Sequence, residues 1–148
     1  MLEPGDQAPE ITARNHDSES VTLTFAEPTV VYFYPKDFTG GCTLESNEFQ
    51  EAHPEFAELG VTVYGVSTDD AESHAAFADE EGLVFDLLAD PDGAVASAFG
   101  VSTEGGTADR VTFLLADGAV LETYPSVDPS GHAREVLDDA RREFVVGG

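Results

Sequence analysis

The chain has a single cysteine, Cys42, a single lysine, Lys36, one methionine and no tryptophan among its 148 residues. One cysteine excludes an intramolecular disulfide framework and any multi-thiolate zinc site within one chain, and the absence of C-x-x-C excludes dithiol oxidoreductase chemistry. Basic residues are scarce as well: 6 Lys and Arg stand against 30 Asp and Glu, a formal net charge of −24. A surface this negative repels phosphate backbones and anionic lipid, so neither nucleic acid nor membrane is expected as a partner. Self-repulsion of this size strains a compact chain at low ionic strength and is relieved when the Debye length falls to about 3 Å at 1 M salt. Adaptation to a high-salt cytoplasm is the favoured reading, with an acidic mesophilic protein as the alternative. No apolar run could span a bilayer, and Met1 to Pro9 has neither the basic flank nor the apolar core of a signal peptide, so a soluble cytoplasmic protein is expected.

What is present suffices for one core: 41% of the residues are hydrophobic, and a single domain over 1–148 is expected. Residues 10–25 predict a hairpin around Arg14 to Ser18. The run Thr29 to Tyr34 is apolar throughout, as in a central strand buried on both faces. A helix from about Cys42 is expected to break near His53-Pro54 and to end at Gly60. The strand Val61 to Ser67, a helix opened by Asp69 with Glu72 and closed by Gly82, the strand Leu83 to Leu88 and a short helix ending near Phe99-Gly100 then alternate. Arg110 to Leu115 and Ala119 to Tyr124 flank an Asp117-Gly118 turn. The last helix is expected to open at Asp128-Pro129 and to place Ala133, Val136, Leu137, Ala140 and Phe144 on one face. This order describes an α/β protein with a mixed central sheet flanked by helices and an N-terminal hairpin.

A lone cysteine is usually a small buried hydrophobe. Cys42, however, follows an apolar strand, Pro35 and the Gly40-Gly41 pair, and so falls in the first turn of a helix at the carboxyl end of a strand. Unpaired N–H groups there favour an anion, which acidifies a thiol and makes it a nucleophile. Thr39, in the same turn, is either a helix N-cap or a hydroxyl donor to substrate. Arg110 carries a permanent charge that near Cys42 would favour thiolate, and otherwise is a surface arginine. Pro35 is adequate as a strand terminator and Glu45 as an acidic residue in a first helical turn. Lys36 and Asp37 read as solvated turn residues and His74 as packed beside Phe77 and Ala78. His16, His53 and His132 read as turn residues without metal spacing, so no metal or cofactor is expected.

The spacing P-x-x-x-T-x-x-C at Pro35, Thr39 and Cys42 resembles the active-site signature of peroxiredoxins. Tyr34 to Thr43, Gly65 to Asp69, His74 with Phe77, Phe85 to Pro91 and Arg110 to Phe113 together resemble the bacterioferritin comigratory protein, or peroxiredoxin Q, subgroup over nearly the whole chain. The resemblance implies a thioredoxin-like fold and reduction of hydrogen peroxide and organic hydroperoxides in antioxidant defence. It implies Cys42 as peroxidatic nucleophile, Thr39 as a donor to the peroxide, Pro35 as a shield of the pocket, Arg110 as the cation beside the sulfur and Glu45 as its orienting partner. Two positions depart from the pattern. Asn47 stands where many members of the subgroup carry a resolving cysteine, and Gly40 where a proline is common. A one-cysteine cycle follows, with the sulfenic acid recycled by an external thiol, either a redoxin or a low-molecular-weight thiol. A thiol redox sensor or interaction module oxidised at Cys42 is the alternative; a Cys–His hydrolase lacks any paired-histidine signature. The sequence sets no oligomeric state, and a monomer is compatible with it.

Overall fold

The computed structural model describes residues 1–125 and 127–144. Among these a seven-stranded mixed sheet has the order β2-β1-β5-β4-β3-β6-β7. Its strands are β1 Ile11–Asn15, β2 Ser20–Leu23, β3 Thr29–Phe33, β4 Thr62–Ser67, β5 Asp86–Ala89, β6 Val111–Ala116 and β7 Ala119–Tyr124. β3, β4 and β5 run parallel, linked by the crossover helices that parallel neighbours require, while the β1–β2 hairpin adds antiparallel to β5 and the β6–β7 hairpin adds antiparallel to β3. The helices are α1 Gly40–Glu58, α2 Ala71–Glu81, α3 Ala94–Phe99 and α4 His132–Phe144. No helix among the described residues is long and apolar enough to cross a membrane.

The expected hairpins, the strand–helix alternation and the buried central strand are all present. Every residue of β3 is buried because the two faces of the sheet are both covered. Val30, Tyr32 and Tyr34 join Phe49 and Phe56 of α1, Phe77 of α2 and Val136 and Leu137 of α4. Val31 and Phe33 point the other way, to Val95 and Phe99 of α3 and to Phe113 and Leu115. The period of two in a strand thus feeds two separate cores.

Four boundaries differ from the sequence expectation. α1 is continuous through Pro54 and starts at Gly40. A proline inside a helix costs about 3 kcal/mol, but Phe49, Ala52 and Phe56 lie in one core on either side of it, and each fully buried Phe contributes about 1.5–3 kcal/mol. The cap of α2 is Asp70, which accepts from the Ser73 N–H, rather than Asp69; Asp69 is engaged elsewhere. β5 begins only at Asp86, because the Leu83 N–H bonds back to the Ala78 carbonyl and the Val84 N–H goes to the Gln50 side chain. α4 begins at His132 rather than at Asp128-Pro129: Ser130 N–H is taken by the Asp128 side chain, and Gly131 adopts φ +80.

Candidate active site

The loop between β3 and α1 is stretched across the carboxyl edge of the sheet. Tyr34 is buried, Pro35 half-buried and Lys36 exposed; Phe38 takes a left-handed φ of +66, and Thr39 is the N-cap of α1. Cys42 is the third residue of α1 and is fully buried. The antiparallel register pairs Phe33 with Val111, so Arg110, one residue before β6, arrives at the end of β3 where α1 begins.

Its guanidinium spans two partners. Nη2 donates to Cys42 Sγ at 3.3 Å and Nη1 to Glu45 Oε1 at 2.7 Å. Gly41 leaves the space for this: a Cβ there would lie 3.2 Å from Arg110 Nη2 and 3.4 Å from Pro129 Cγ. Burial opposes the arginine's charge, but Glu45 and Cys42 outweigh it and raise the guanidinium further. Glu45 is wholly buried, and its Oε2 has no hydrogen-bond partner among the described residues. Burial therefore pushes the Glu45 carboxyl up to about 7, even against the pull of Arg110.

Cys42, Arg110 and Glu45 are thus brought together. Thr39 lies in the same turn, but its hydroxyl donates to the Lys36 carbonyl at 3.0 Å and makes no side-chain cap. The Thr39 carbonyl accepts from the Thr43 N–H, which fixes the turn. Pro35 opens the loop, next to Tyr34.

Three sequence readings are corrected. Asp37 is not a solvated turn residue: it is 3% exposed and accepts from Tyr34, Ser73 and His74. His132 is buried at the start of α4, where Nε2 lies 2.8 Å from the Thr112 hydroxyl and the ring meets Phe49 and Tyr124 edge-on. Burial lowers its affinity for a proton. His53 lies inside α1, stacked on Phe85. His74 is packed, as expected, with Phe77 and Ala78. The signal that could have found Asp37 was the Ser73-His74 pair, two polar residues on and beside the buried face of α2. Asp37, Asp69 and His74 each bring a ligand atom within 4.8 Å of the others, but these atoms already serve hydrogen bonds within the group.

A family model described as the AhpC/TSA family matches residues 4–123. The chain is similar to peroxiredoxin Bcp of Escherichia coli strain K12, at 38% identity over 147 residues, covering 93% of this chain and 94% of that one. It is similar to peroxiredoxin Bcp of Bacillus subtilis at 35% over 146 residues, covering 92% and 93%. Among solved structures, a mutant peroxiredoxin Q of Xylella fastidiosa superimposes with a TM-score of 0.90 at 32% identity, covering 97% of this chain and 98% of that one. The bacterioferritin comigratory protein of Xanthomonas campestris, in a structure concerned with its alkyl peroxide reduction activity, gives 0.84 at 33%, covering 90% and 92%. The architecture is that of the thioredoxin-like peroxiredoxins.

Proposed function

The chain belongs to the AhpC/TSA family and is a peroxiredoxin, a thiol-dependent peroxidase, and we propose that Cys42, Arg110, Glu45, Thr39 and Pro35 form its catalytic site. The observation that carries this assignment is the 3.3 Å hydrogen bond from Arg110 Nη2 to Cys42 Sγ. A guanidinium donating to sulfur stabilises negative charge there, and charge-assisted bonds are the stronger kind. The sulfur attacks the distal peroxide oxygen; the O–O bond breaks with its electron pair going to the departing oxygen, which leaves as water or alcohol after taking a proton. Arg110 and the N–H groups at the start of α1 stabilise the charge that develops. Glu45 holds the arginine in place. Thr39 reaches the peroxide by turning its hydroxyl away from Lys36, and Pro35 shields the pocket.

Cys42 is left as sulfenic acid. An external thiol condenses with it, releasing water and forming a mixed disulfide, and a second thiol displaces Cys42 as thiol. The substrates we propose are hydrogen peroxide and organic hydroperoxides, in line with the alkyl peroxide activity of the Xanthomonas relative. We further propose a single unit over 1–148, acting in a high-salt cytoplasm without nucleic acid or membrane partners, in keeping with the −24 charge. The test is steady-state peroxide consumption by wild type and Cys42→Ser at high salt with several thiols. Sustained turnover lost only in the variant is expected; a single stoichiometric oxidation without turnover would instead favour a redox sensor.

A further inference from the structure

Asp37 lies in the loop leading to Cys42 and has no part in the chemistry above. Its carboxylate takes the Tyr34 hydroxyl on Oδ1 at 2.6 Å, and on Oδ2 the Ser73 hydroxyl at 2.8 Å and His74 Nδ1 at 2.7 Å. Its own N–H donates to Asp69 Oδ2 at 2.7 Å, an oxygen that also accepts the Ser67 hydroxyl at 2.8 Å. His74 Nε2 faces the Leu88 carbonyl at 3.0 Å, which can only accept, so Nε2 carries a hydrogen. Its Nδ1 faces the Asp37 carboxylate, so the ring bridges the loop to the backbone of β5. Burial acts to raise the Asp37 carboxyl, but the bonds from His74, Tyr34 and Ser73 outweigh it and hold it below its ordinary value.

An ordinary surface turn needs no buried carboxylate ringed by side-chain donors. Here the next residue, Phe38, has φ +66, a conformation disfavoured for a bulky side chain and kept only where the surroundings over-determine it. Its ring is 50% exposed and sits edge-on to Phe77 of α2 at 5.2 Å. Thr39, which follows, contributes no side-chain cap to α1. The loop is thus held from α2 and from Ser67 and Asp69 at and just past the end of β4, in addition to its own Tyr34–Asp37 and Thr39–Lys36 bonds. We propose that Asp37 is a positioning residue for peroxide reduction: clamped through its carboxylate by His74, Ser73 and Tyr34 and through its N–H by Asp69, it enforces the left-handed Phe38 and so sets where Thr39 and the first N–H groups of α1 stand relative to Cys42. This rests on the peroxidase reading of Cys42.

The test compares two reactions of the same thiol, single-turnover oxidation by peroxide and alkylation by iodoacetamide, in wild type, Asp37→Asn and Ser73→Ala. Alkylation needs only the sulfur, whereas peroxide reduction also needs placed donors. In folded Asp37→Asn, peroxide oxidation slows about tenfold or more while alkylation changes by less than about threefold, since small misplacements cost catalysis heavily. Ser73→Ala, lacking one of the three donors to the carboxylate, shows a smaller loss in the same sense. Unchanged peroxide rates in both variants overturn the proposal, and so does a loss shared equally by alkylation. If Asp37→Asn does not fold by circular dichroism, Ser73→Ala decides by the ratio of its two rates: a lowered ratio supports the clamp and an unchanged one removes it. A wild type inert to peroxide but open to iodoacetamide removes the peroxidase reading itself.

Discussion

Arg110 meets Cys42 across 68 positions of chain, with Nη2 3.3 Å from Sγ while Nη1 holds the buried Glu45 at 2.7 Å. One cation therefore has two duties, and they separate by mutation. Arg110→Met is expected to slow peroxide oxidation of Cys42 by about 100-fold, the scale of losing a donor to developing charge. It also strips a buried carboxylate of its partner and so destabilises the fold by roughly 2 kcal/mol at about pH 8. Adding Glu45→Gln to Arg110→Met is expected to restore much of the stability and none of the rate. Thermal melts and stopped-flow oxidation of wild type and the two variants check both halves.

Glu45 makes stability depend on pH with a definite sign. Its carboxyl is raised by burial to about 7 in the folded protein, against about 4.3 for a free glutamate. Between these values the folded state holds a proton that the unfolded state has lost, so the contribution is present at low pH and is lost as pH rises through about 7. Glu45→Gln cannot titrate. Its stability relative to wild type, followed by thermal melts, should therefore climb from about pH 5 to about pH 8, by an amount on the order of 2 kcal/mol. A difference independent of pH would contradict the raised carboxyl.

The legible parts of this molecule were those in which local pattern and tertiary context agree. The apolar run of β3, the Asp117-Gly118 turn and the amphipathic face of α4 follow from periodicity and turn chemistry alone. Pro54 misled because its local penalty is outweighed by core contacts on both sides, which no window of sequence contains. Cys42 was legible from its place after a strand and two glycines. The approach of Arg110 depends on the pairing of β3 with β6, visible in one sequence only through resemblance. Asp37 was misjudged because its partners, Ser73 and His74, lie on another helix 36 and 37 positions away.

Stability should rise with salt. The net charge is −24, and the three arginines of α4 are already committed: Arg134 and Arg141 pair with Glu55, Arg141 also with Asp138, and Arg142 with Asp139. Exposed pairs of this kind contribute little, and the 30 carboxylates far outnumber the 6 Lys and Arg that could pair with them. Screening should lift the melting temperature by several degrees from about 0.05 to about 2 M KCl, as the Debye length shrinks below the spacing of surface charges. A flat or falling midpoint would remove the high-salt reading and leave the site untouched.

The fate of oxidised Cys42 is the sharpest consequence of the sequence. Asn47 stands where, by the resemblance, many members of the subgroup carry a resolving thiol; it is exposed and its amide donates to Glu81 on α2 at 2.9 Å, tying the two helices together. With no second cysteine in the chain, the sulfenic acid waits for a thiol from outside, and further peroxide competes by driving it to sulfinic and sulfonic acid, steps that ordinary thiols do not reverse. Intact-mass spectrometry after peroxide should show these acids when thiol is absent and a mixed disulfide when a limiting thiol is supplied. Excess thiol should return the mass of the reduced chain. Consumption of more than about three peroxides per chain by the purified protein without added reductant would refute this cycle, because a lone sulfur gives up electrons to peroxide only as far as the sulfonic acid.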